Sequence, residues 1–132
     1  MTTPFDDPQA ELAWMFIQNV CDGGDLDEGF SLLSSDFTYW DNLTRETCDS
    51  ARLRRIIEWR KSRAELSFDL LNCLNEGENV VVETQPDGIT ADGVRYDAPI
   101  VFFFETRDGL ITSLREYGDT RLTAQAFGVT PS

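Results

Sequence analysis

Three polar side chains at strand-like positions are candidates for acid/base chemistry. Tyr39 and Asp41 alternate in the stretch "FTYWDN", and Asp119 closes the stretch "LREYGD". A carboxylate can accept a proton next to a carbonyl group or activate water, and a phenol can donate a hydrogen bond to the negative charge that develops on the carbonyl oxygen. Asp119, Tyr39 and Asp41 are therefore candidate catalytic residues.

Each of these residues also has a structural interpretation. Asp119 can cap a helix that begins at Thr120, because aspartate is a preferred N-cap residue. Tyr39 can be a core aromatic residue whose hydroxyl lies at the rim of the core, and Asp41 can be the first residue of a loop.

The sequence contains no histidine, which excludes Ser-His-Asp and Cys-His catalysis and imidazole metal ligands. The general base of any acid/base reaction must then be aspartate or glutamate, or less commonly Lys, Tyr or Cys. Cys21, Cys48 and Cys73 are odd in number and far apart, so we expect reduced thiols and no CxxC motif. Without a ligand cluster or a glycine-rich phosphate loop, we expect no metal ion and no cofactor.

Charge and length narrow the class of protein further. Eleven basic and 24 acidic residues give a net charge of -13, which repels nucleic acids and anionic membrane surfaces. The longest apolar run, 100–104, is too short for a membrane span, and the N-terminus does not resemble a signal peptide, so we expect a cytoplasmic protein. The 132 residues suit one domain, 1–132, with tails at 1–7 and 128–132.

The elements follow from hydrophobic periodicity and turn residues. Helices are predicted after the caps Asp7, Asp25 and Asp49, with the second helix ending at Ser34-Ser35-Asp36. A short strand spans 37–42, four more strands follow Ala64, and a last helical turn covers 123–127. The predicted turns between the four strands are Glu76-Gly77, Pro86-Asp87-Gly88 and Asp108-Gly109.

This order predicts an α+β domain in which N-terminal helices pack on a strongly curved antiparallel sheet. Such a sheet forms a cone-shaped half barrel, and its open end is a natural internal pocket for a small apolar molecule. Arg115 and Tyr117 share the predicted face of Asp119, so we predict both as substrate-binding residues. The further predicted substrate-binding residues are aromatic, with ordinary core packing as the alternative: Trp14, Trp40, Trp59, Phe102 and Phe104.

The third predicted helix is rich in basic residues. Arg52, Arg54, Arg55, Arg60, Lys61 and Arg63 surround its apolar positions. A positive strip on an acidic protein can hold an anionic ligand, but interspersed Arg and Lys residues are typical of a solvated helix face. We favour the solvated face.

The chain resembles the nuclear transport factor 2-like superfamily, specifically its SnoaL-like branch. The resemblance depends on two stretches: "DFTYWDN", which follows two predicted helices, and "DGLITSLREYGDT", which ends the predicted strands after one more helix. The resemblance covers residues 8–127. It implies a cofactor-independent isomerase, cyclase or hydrolase that acts on a polyketide, terpenoid or steroid-like molecule, as in polyketide cyclases and ketosteroid isomerases. It also implies that Asp119 is the acid or base in the pocket and that two copies form a homodimer through the outer face of the sheet.

The sequence does not support epoxide hydrolysis, which is one activity of the superfamily. Limonene epoxide hydrolases use Tyr-x-Asn on the first strand and Arg-x-Asp on a middle strand. Tyr39 matches the first motif, but Asp41 stands at the asparagine position, and Thr84-Gln85-Pro86 stands at the Arg-x-Asp stretch. We therefore do not expect epoxide hydrolysis. The alternative to an enzyme is a non-catalytic ligand-binding or dimerisation module of the same fold.

Overall fold

The computed structural model describes residues 6–21 and 23–128, which form four helices and seven strands. The helices are α1 (Pro8–Val20), α2 (Leu26–Phe30), α3 (Ser50–Arg63) and α4 (Thr120–Phe127). The strands are β1 (Leu33–Asp41), β2 (Thr47–Cys48), β3 (Ser67–Glu76), β4 (Asn79–Ile89), β5 (Arg95–Tyr96), β6 (Ile100–Arg107) and β7 (Leu110–Tyr117). Within these residues, no helix is both long enough and apolar enough to cross a bilayer.

The predicted helix starts are confirmed by their capping bonds. The Asp7 carboxylate accepts hydrogen bonds from the backbone N–H groups of Gln9 and Ala10, with Pro8 at the first helical position. Asp49 caps α3 by accepting from the N–H of Arg52. Of the predicted tails, residues 1–5 and 129–132 lie outside the described residues.

The helices pack on one face of an open sheet, which agrees with the predicted α+β cone. Its strand order is β2-β1-β7-β6-β4-β3, with β5 paired to β4. The four long C-terminal strands are antiparallel neighbours, as predicted. The sheet as a whole is mixed, because β1 pairs in parallel with β7 instead of with a strand close in sequence.

Two predicted boundaries are wrong. Ser34-Ser35-Asp36 does not end α2, which stops at Phe30. These residues belong to the first half of β1, within a register shift against β7. Pro86-Asp87-Gly88 is not a turn but the end of β4. Pairing of β4 with β6 ends at Thr84, so Pro86 lies where β4 has only β3 as a neighbour, and proline is tolerated on such an edge.

The Asp108-Gly109 turn is confirmed as the connection between β6 and β7. Both residues have positive φ angles, 52° and 79°. A two-residue hairpin turn with both central residues at positive φ matches the twist of its strands, and Asp-Gly adopts it readily. This turn sets the first pairs of the hairpin, and a register shift after Ile111 moves the pairing of the rest of β7 by one residue.

The core lies between α1 and the inner face of the sheet. Ala13, Phe16 and Ile17 of α1 are buried against inward residues of β4 and β6. The rings of Phe16 and Phe104 meet edge to face at 6.1 Å between centroids. Along β6, Phe102 and Phe104 point inward and alternate with outward residues, as strand geometry requires.

Candidate functional site

The inner face of the sheet and the helices enclose a cavity of about 80 Å³. Most of its wall is aliphatic or aromatic, contributed by α1, α3, α4, β6 and the start of β3. The polar or charged lining residues are Tyr39, Arg60, Lys61, Tyr96, Glu116 and Thr123. A mostly apolar wall with a few convergent polar groups is typical of small-molecule sites.

Three of these polar residues are directly bonded, and we call them the Glu116 cluster. Tyr39 donates its hydroxyl to Oε1 of Glu116 at 3.1 Å. Arg60 Nη1 donates to Oε2 at 3.0 Å and to Oε1 at 3.2 Å. The carboxylate therefore accepts hydrogen bonds from a guanidinium group and a phenol inside an apolar cavity.

The sheet and α3 bring the cluster together. Tyr39 on β1 lies opposite Leu114 on the parallel neighbour β7, so Glu116, two residues further along β7, points to the same face. Arg60 comes from the last helical turns of α3, on the face that also buries Leu53 and Ile56. The cluster thus joins the helical layer to two adjacent strands.

Burial controls the ionisation of the cluster. The side chains of Arg60 and Glu116 keep only 19% and 12% of their surface exposed. Burial opposes the charge of Arg60, but the adjacent Glu116 carboxylate outweighs this effect and holds the guanidinium pKa above its ordinary value. For Tyr39, burial and the charge of Glu116 together raise the pKa well above that of a free phenol, so the hydroxyl keeps its proton.

A second polar pair lies on the α4 side of the cavity. The hydroxyl of Tyr96 is 2.7 Å from Oγ1 of Thr123, and both residues are buried. Thr123 in turn donates to the backbone oxygen of Asp119 at 2.8 Å. Burial raises the pKa of Tyr96 above that of a free phenol.

The predicted position of Asp119 inside the pocket is wrong. Asp119 is exposed, is not a lining residue of the cavity, and accepts a hydrogen bond from the N–H of Leu122 at 2.9 Å as the N-cap of α4. Strand β7 ends at Tyr117, so the alternation of faces stops before Asp119. The contacts of Asp119 are therefore those of the alternative that we gave for it, an N-cap residue.

Tyr39 and Asp41 share the inward face of β1, but only Tyr39 lines the cavity. Tyr39 is 1% exposed and lines the cavity, as predicted. Asp41 is also buried, but its Oδ1 accepts bonds from the N–H groups of Leu43 and Thr44 and from the Thr44 hydroxyl. These local bonds hold the turn after β1 and place Asp41 outside the wall of the cavity.

Arg115, Tyr117 and Trp40 do not line this cavity, because all three lie on the outer face of the sheet, where they line a separate groove. Trp40 packs on Tyr117 with ring centroids 5.4 Å apart. Arg115 lies over the ring of Phe103 at 4.4 Å and pairs with Glu105 at 3.6 Å. The inward residues of β7 here are Leu114 and Glu116, so the predicted face of this strand is reversed.

The other predicted aromatic residues divide between cavity and core. Phe102 lines the cavity, as predicted. Phe104 is fully buried in the core, and Trp14 is partly buried against it. Trp59 donates its indole N–H to the backbone oxygen of Phe127. Trp14, Trp59 and Phe104 are not among the lining residues of this cavity, and their contact with a ligand stays a prediction.

Sequence analysis missed Glu116 and Arg60, although each carries a signal. Arg60 follows Leu53 and Ile56 at i+7 and i+4, which is the buried face of the helix. Glu116 alternates with Arg115 and Tyr117, so it belongs to the face opposite the one we predicted. Among the described residues, no group of three or more Cys, Asp or Glu side chains is arranged to hold a metal ion.

Comparison with known proteins finds one matching family model and several solved structures of similar fold. Residues 15–114 match a family model described as SnoaL-like domain. No curated protein sequence matches the chain. Similar solved structures include an NTF2-like protein from Burkholderia xenovorans LB400, with 21% identity, TM-score 0.77 and coverage of 91% of this chain and 95% of that one.

Two further solved structures resemble the chain at low identity. An LEH-like epoxide hydrolase of M. tuberculosis has 19% identity and TM-score 0.73, over 91% of this chain and 89% of that one. TerC, crystallised with polyporic acid, has 16% identity and TM-score 0.78, over 93% of this chain and all of that one. At these identities the likeness establishes the fold.

Proposed function

This chain belongs to the SnoaL-like domain family, and we propose on that premise that its cavity binds a compact, largely apolar molecule that carries one hydrogen-bonding oxygen. The oxygen lies against the Glu116 cluster, and the carbon skeleton lies against the apolar wall. Fold alone does not assign a ligand, so the proposal depends on the cavity and its polar groups.

The observation that carries the proposal is the position of Arg60. A guanidinium group has five N–H donors, and Arg60 uses only those on Nη1 for Glu116. Within the described residues it donates no other hydrogen bond, and it lines the cavity. Arg60 can therefore donate to a ligand oxygen while it stays paired with Glu116.

The ligand class is supported by one neighbour of the same fold. TerC was crystallised with polyporic acid. We propose a polyketide, terpenoid or steroid-like skeleton for the ligand of this chain. The cavity volume of about 80 Å³ favours a compact skeleton, or one end of a longer molecule.

Calorimetric titration with cyclohexanol tests the binding proposal. Arg60→Gln removes the guanidinium donors, and we expect it to weaken binding about tenfold, as the loss of a charged hydrogen bond predicts. Arg54→Gln is the matched control, because Arg54 lies on the same helix but pairs with the exposed Asp27. Equal affinity in the Arg60 variant and the wild type, with both folded by circular dichroism, would contradict the proposal.

The bond between Tyr39 and Glu116 favours a second function, cofactor-independent proton transfer. Glu116 takes a proton from the carbon next to a carbonyl group, and the electron pair of that C–H bond forms an enolate. Arg60 stabilises the enolate oxygen, and Glu116 returns the proton to carbon. In this account Glu116 has the role that sequence analysis predicted for Asp119, and the alternative is a binding module without turnover.

Deuterium exchange distinguishes the enzyme from the binding module. In D2O, NMR follows the replacement of the α-protons of cyclohexanone by deuterium. An enzyme accelerates this exchange, Glu116→Gln abolishes the acceleration, and Asp27→Asn, which neutralises an exposed carboxylate, leaves it unchanged. Exchange at the uncatalysed rate in the wild type would assign the chain to the non-catalytic alternative.

We also propose a homodimer that forms through the outer face of the sheet. Leu74, Val81, Phe103, Arg115 and Trp40 stand opposite one another on five adjacent strands. This row is mostly apolar, and Leu74 keeps 63% of its surface exposed. A contiguous apolar surface of this kind is typical of protein interfaces.

A further inference from the structure

The hydrogen-bond direction at Tyr96 is fixed by its neighbour Thr123. Oγ1 of Thr123 has one proton, which it donates to the backbone oxygen of Asp119, because a carbonyl oxygen can only accept. In the 2.7 Å contact between Tyr96 and Thr123, Tyr96 must then be the donor. The hydroxyl proton of Tyr96 is used in this bond, so toward a ligand the phenol oxygen can only accept a hydrogen bond.

The hydroxyl proton of Tyr39 is also used in a hydrogen bond. Its hydroxyl donates to the Glu116 carboxylate, which accepts from Arg60 as well. Both cavity phenols therefore act as acceptors toward a ligand. The donors that remain are N–H groups of Arg60 and of Lys61, whose Nζ already donates to the Cys21 backbone oxygen at 2.9 Å.

We propose that the cavity selects a hydroxyl-bearing ligand, an alcohol, phenol or enol, over a ketone or ether of the same size. This inference rests on the proposed binding function and narrows its ligand class. A hydroxyl group accepts from Arg60 and donates to a phenol oxygen, so it completes both sides of the site. Tyr96 and Tyr39 are the specificity-determining residues, and Thr123 is the positioning residue that orients the Tyr96 hydroxyl.

The selectivity follows from burial. Tyr39 and Tyr96 are each 1% exposed, so a ligand that fills the cavity separates their oxygens from water. A ketone can accept from Arg60 but has no proton for a phenol oxygen, whose lone pairs then accept no hydrogen bond. An unsatisfied buried polar atom is costly, whereas a hydroxyl ligand leaves none at this position.

Paired titrations of the wild-type protein with cyclohexanol and cyclohexanone measure the selectivity. The two probes have the same ring and differ in the proton on oxygen. We expect cyclohexanol to bind about tenfold more tightly, which corresponds to about 1.4 kcal/mol. Equal affinities, or tighter binding of the ketone, would overturn the inference and leave the binding function intact. If neither probe binds, the proposed function fails together with the inference.

Thr123→Val tests the mechanism, because it removes the acceptor of the Tyr96 proton with little change in shape. The freed hydroxyl can then donate to a ketone, so we expect cyclohexanone to bind more tightly and the alcohol-to-ketone affinity ratio to fall about fivefold or more. A purely structural role of Thr123 would weaken both probes equally, and that result would contradict the inference. Thr106→Val is the control, because Thr106 is buried, donates to the Glu78 backbone oxygen and does not line the cavity.

Tyr96→Phe gives an independent result if the threonine variant folds poorly. The phenylalanine ring keeps the shape of the wall and removes the acceptor oxygen. We expect cyclohexanol to lose affinity and cyclohexanone to keep it, which again lowers the ratio. An unchanged ratio in a folded Tyr96→Phe protein would show that Tyr96 does not select the ligand.

Discussion

Arg60 Nη1 lies 3.0 Å from Oε2 of Glu116, and this contact connects α3 to the inner face of β7 inside an apolar cavity. Both residues come from stretches that look solvent-exposed in sequence. The ion pair that they form places hydrogen-bond donors and acceptors inside the cavity. The function of the protein, in our account, depends on this pair and on the two phenols beside it.

Removal of Arg60 should destabilise the fold as well as weaken binding. Arg60→Met leaves the largely buried Glu116 carboxylate without its positive partner, and we expect a loss of about 3 kcal/mol in the free energy of unfolding. Urea denaturation measures it. Arg54→Met, which breaks an exposed pair on the same helix, should cost less than about 1 kcal/mol. Equal losses in the two variants would show that the Glu116 pair contributes nothing special.

Alkaline pH should destabilise the protein through Tyr39. Burial and the Glu116 charge raise its pKa, so the folded protein keeps a proton that the unfolded chain loses above about pH 10. The stabilisation is complete below the ordinary tyrosine pKa and is lost as the pH rises toward the raised value. We expect the free energy of unfolding to fall by up to about 1.4 kcal/mol per pH unit for this group.

Tyr39→Phe isolates this contribution. Urea denaturation from about pH 9 to about pH 11 should show a shallower decline in the variant than in the wild type. Loss of the hydrogen bond to Glu116 lowers stability at neutral pH also, and only the slope reports the ionisation. Parallel slopes for both proteins would mean that Tyr39 ionises normally.

Asp119 should matter for stability and not for binding. Asp119→Ala removes the acceptor of the Leu122 N–H at the start of α4, and we expect a loss of about 1 kcal/mol in unfolding free energy. Asp119→Asn keeps a capping oxygen and should restore most of that loss. Cyclohexanol affinity should be unchanged in both. A strong loss of affinity in the asparagine variant would show that Asp119 takes part in ligand binding.

The outer face of the sheet should control association. Leu74→Lys places a charge in the apolar row, so we expect the wild type to sediment as a dimer and this variant as a monomer in analytical ultracentrifugation. Ile89→Lys is the matched control, since Ile89 is 60% exposed but lies on β4 beyond its pairing with β6. A monomeric wild type would refute the dimer proposal.

The fold was predictable because its signals are local. The cap at Asp7 with Pro8 at the first position and the Asp108-Gly109 turn depend on neighbouring residues alone, and the structure confirms both. The parallel pairing of β1 with β7 was not predictable in this way. It joins residues more than 70 positions apart, such as Tyr39 and Leu114, and no local pattern encodes that contact.

The site was predicted only in part because strand alternation does not say which face is inward. On β7, Leu114 and Glu116 form one face, and Arg115 and Tyr117 form the other, so each face combines a charged residue with an apolar or aromatic one. Hydrophobicity cannot choose between two such faces. A register shift near the start of β7 also reverses the alternation: buried Ile111 lies opposite Thr106, but Ser113 lies opposite Glu105, so Leu114 and Glu116 point inward in place of Arg115 and Tyr117.

A crystal structure of the wild-type protein with bound cyclohexanol tests the central claim most directly. We predict that the ring lies inside the cavity and that its oxygen lies within about 3.2 Å of an Arg60 nitrogen and of the phenol oxygen of Tyr96 or Tyr39. A probe that lies outside this cavity, or one whose oxygen points away from Arg60 toward the apolar wall, would contradict it.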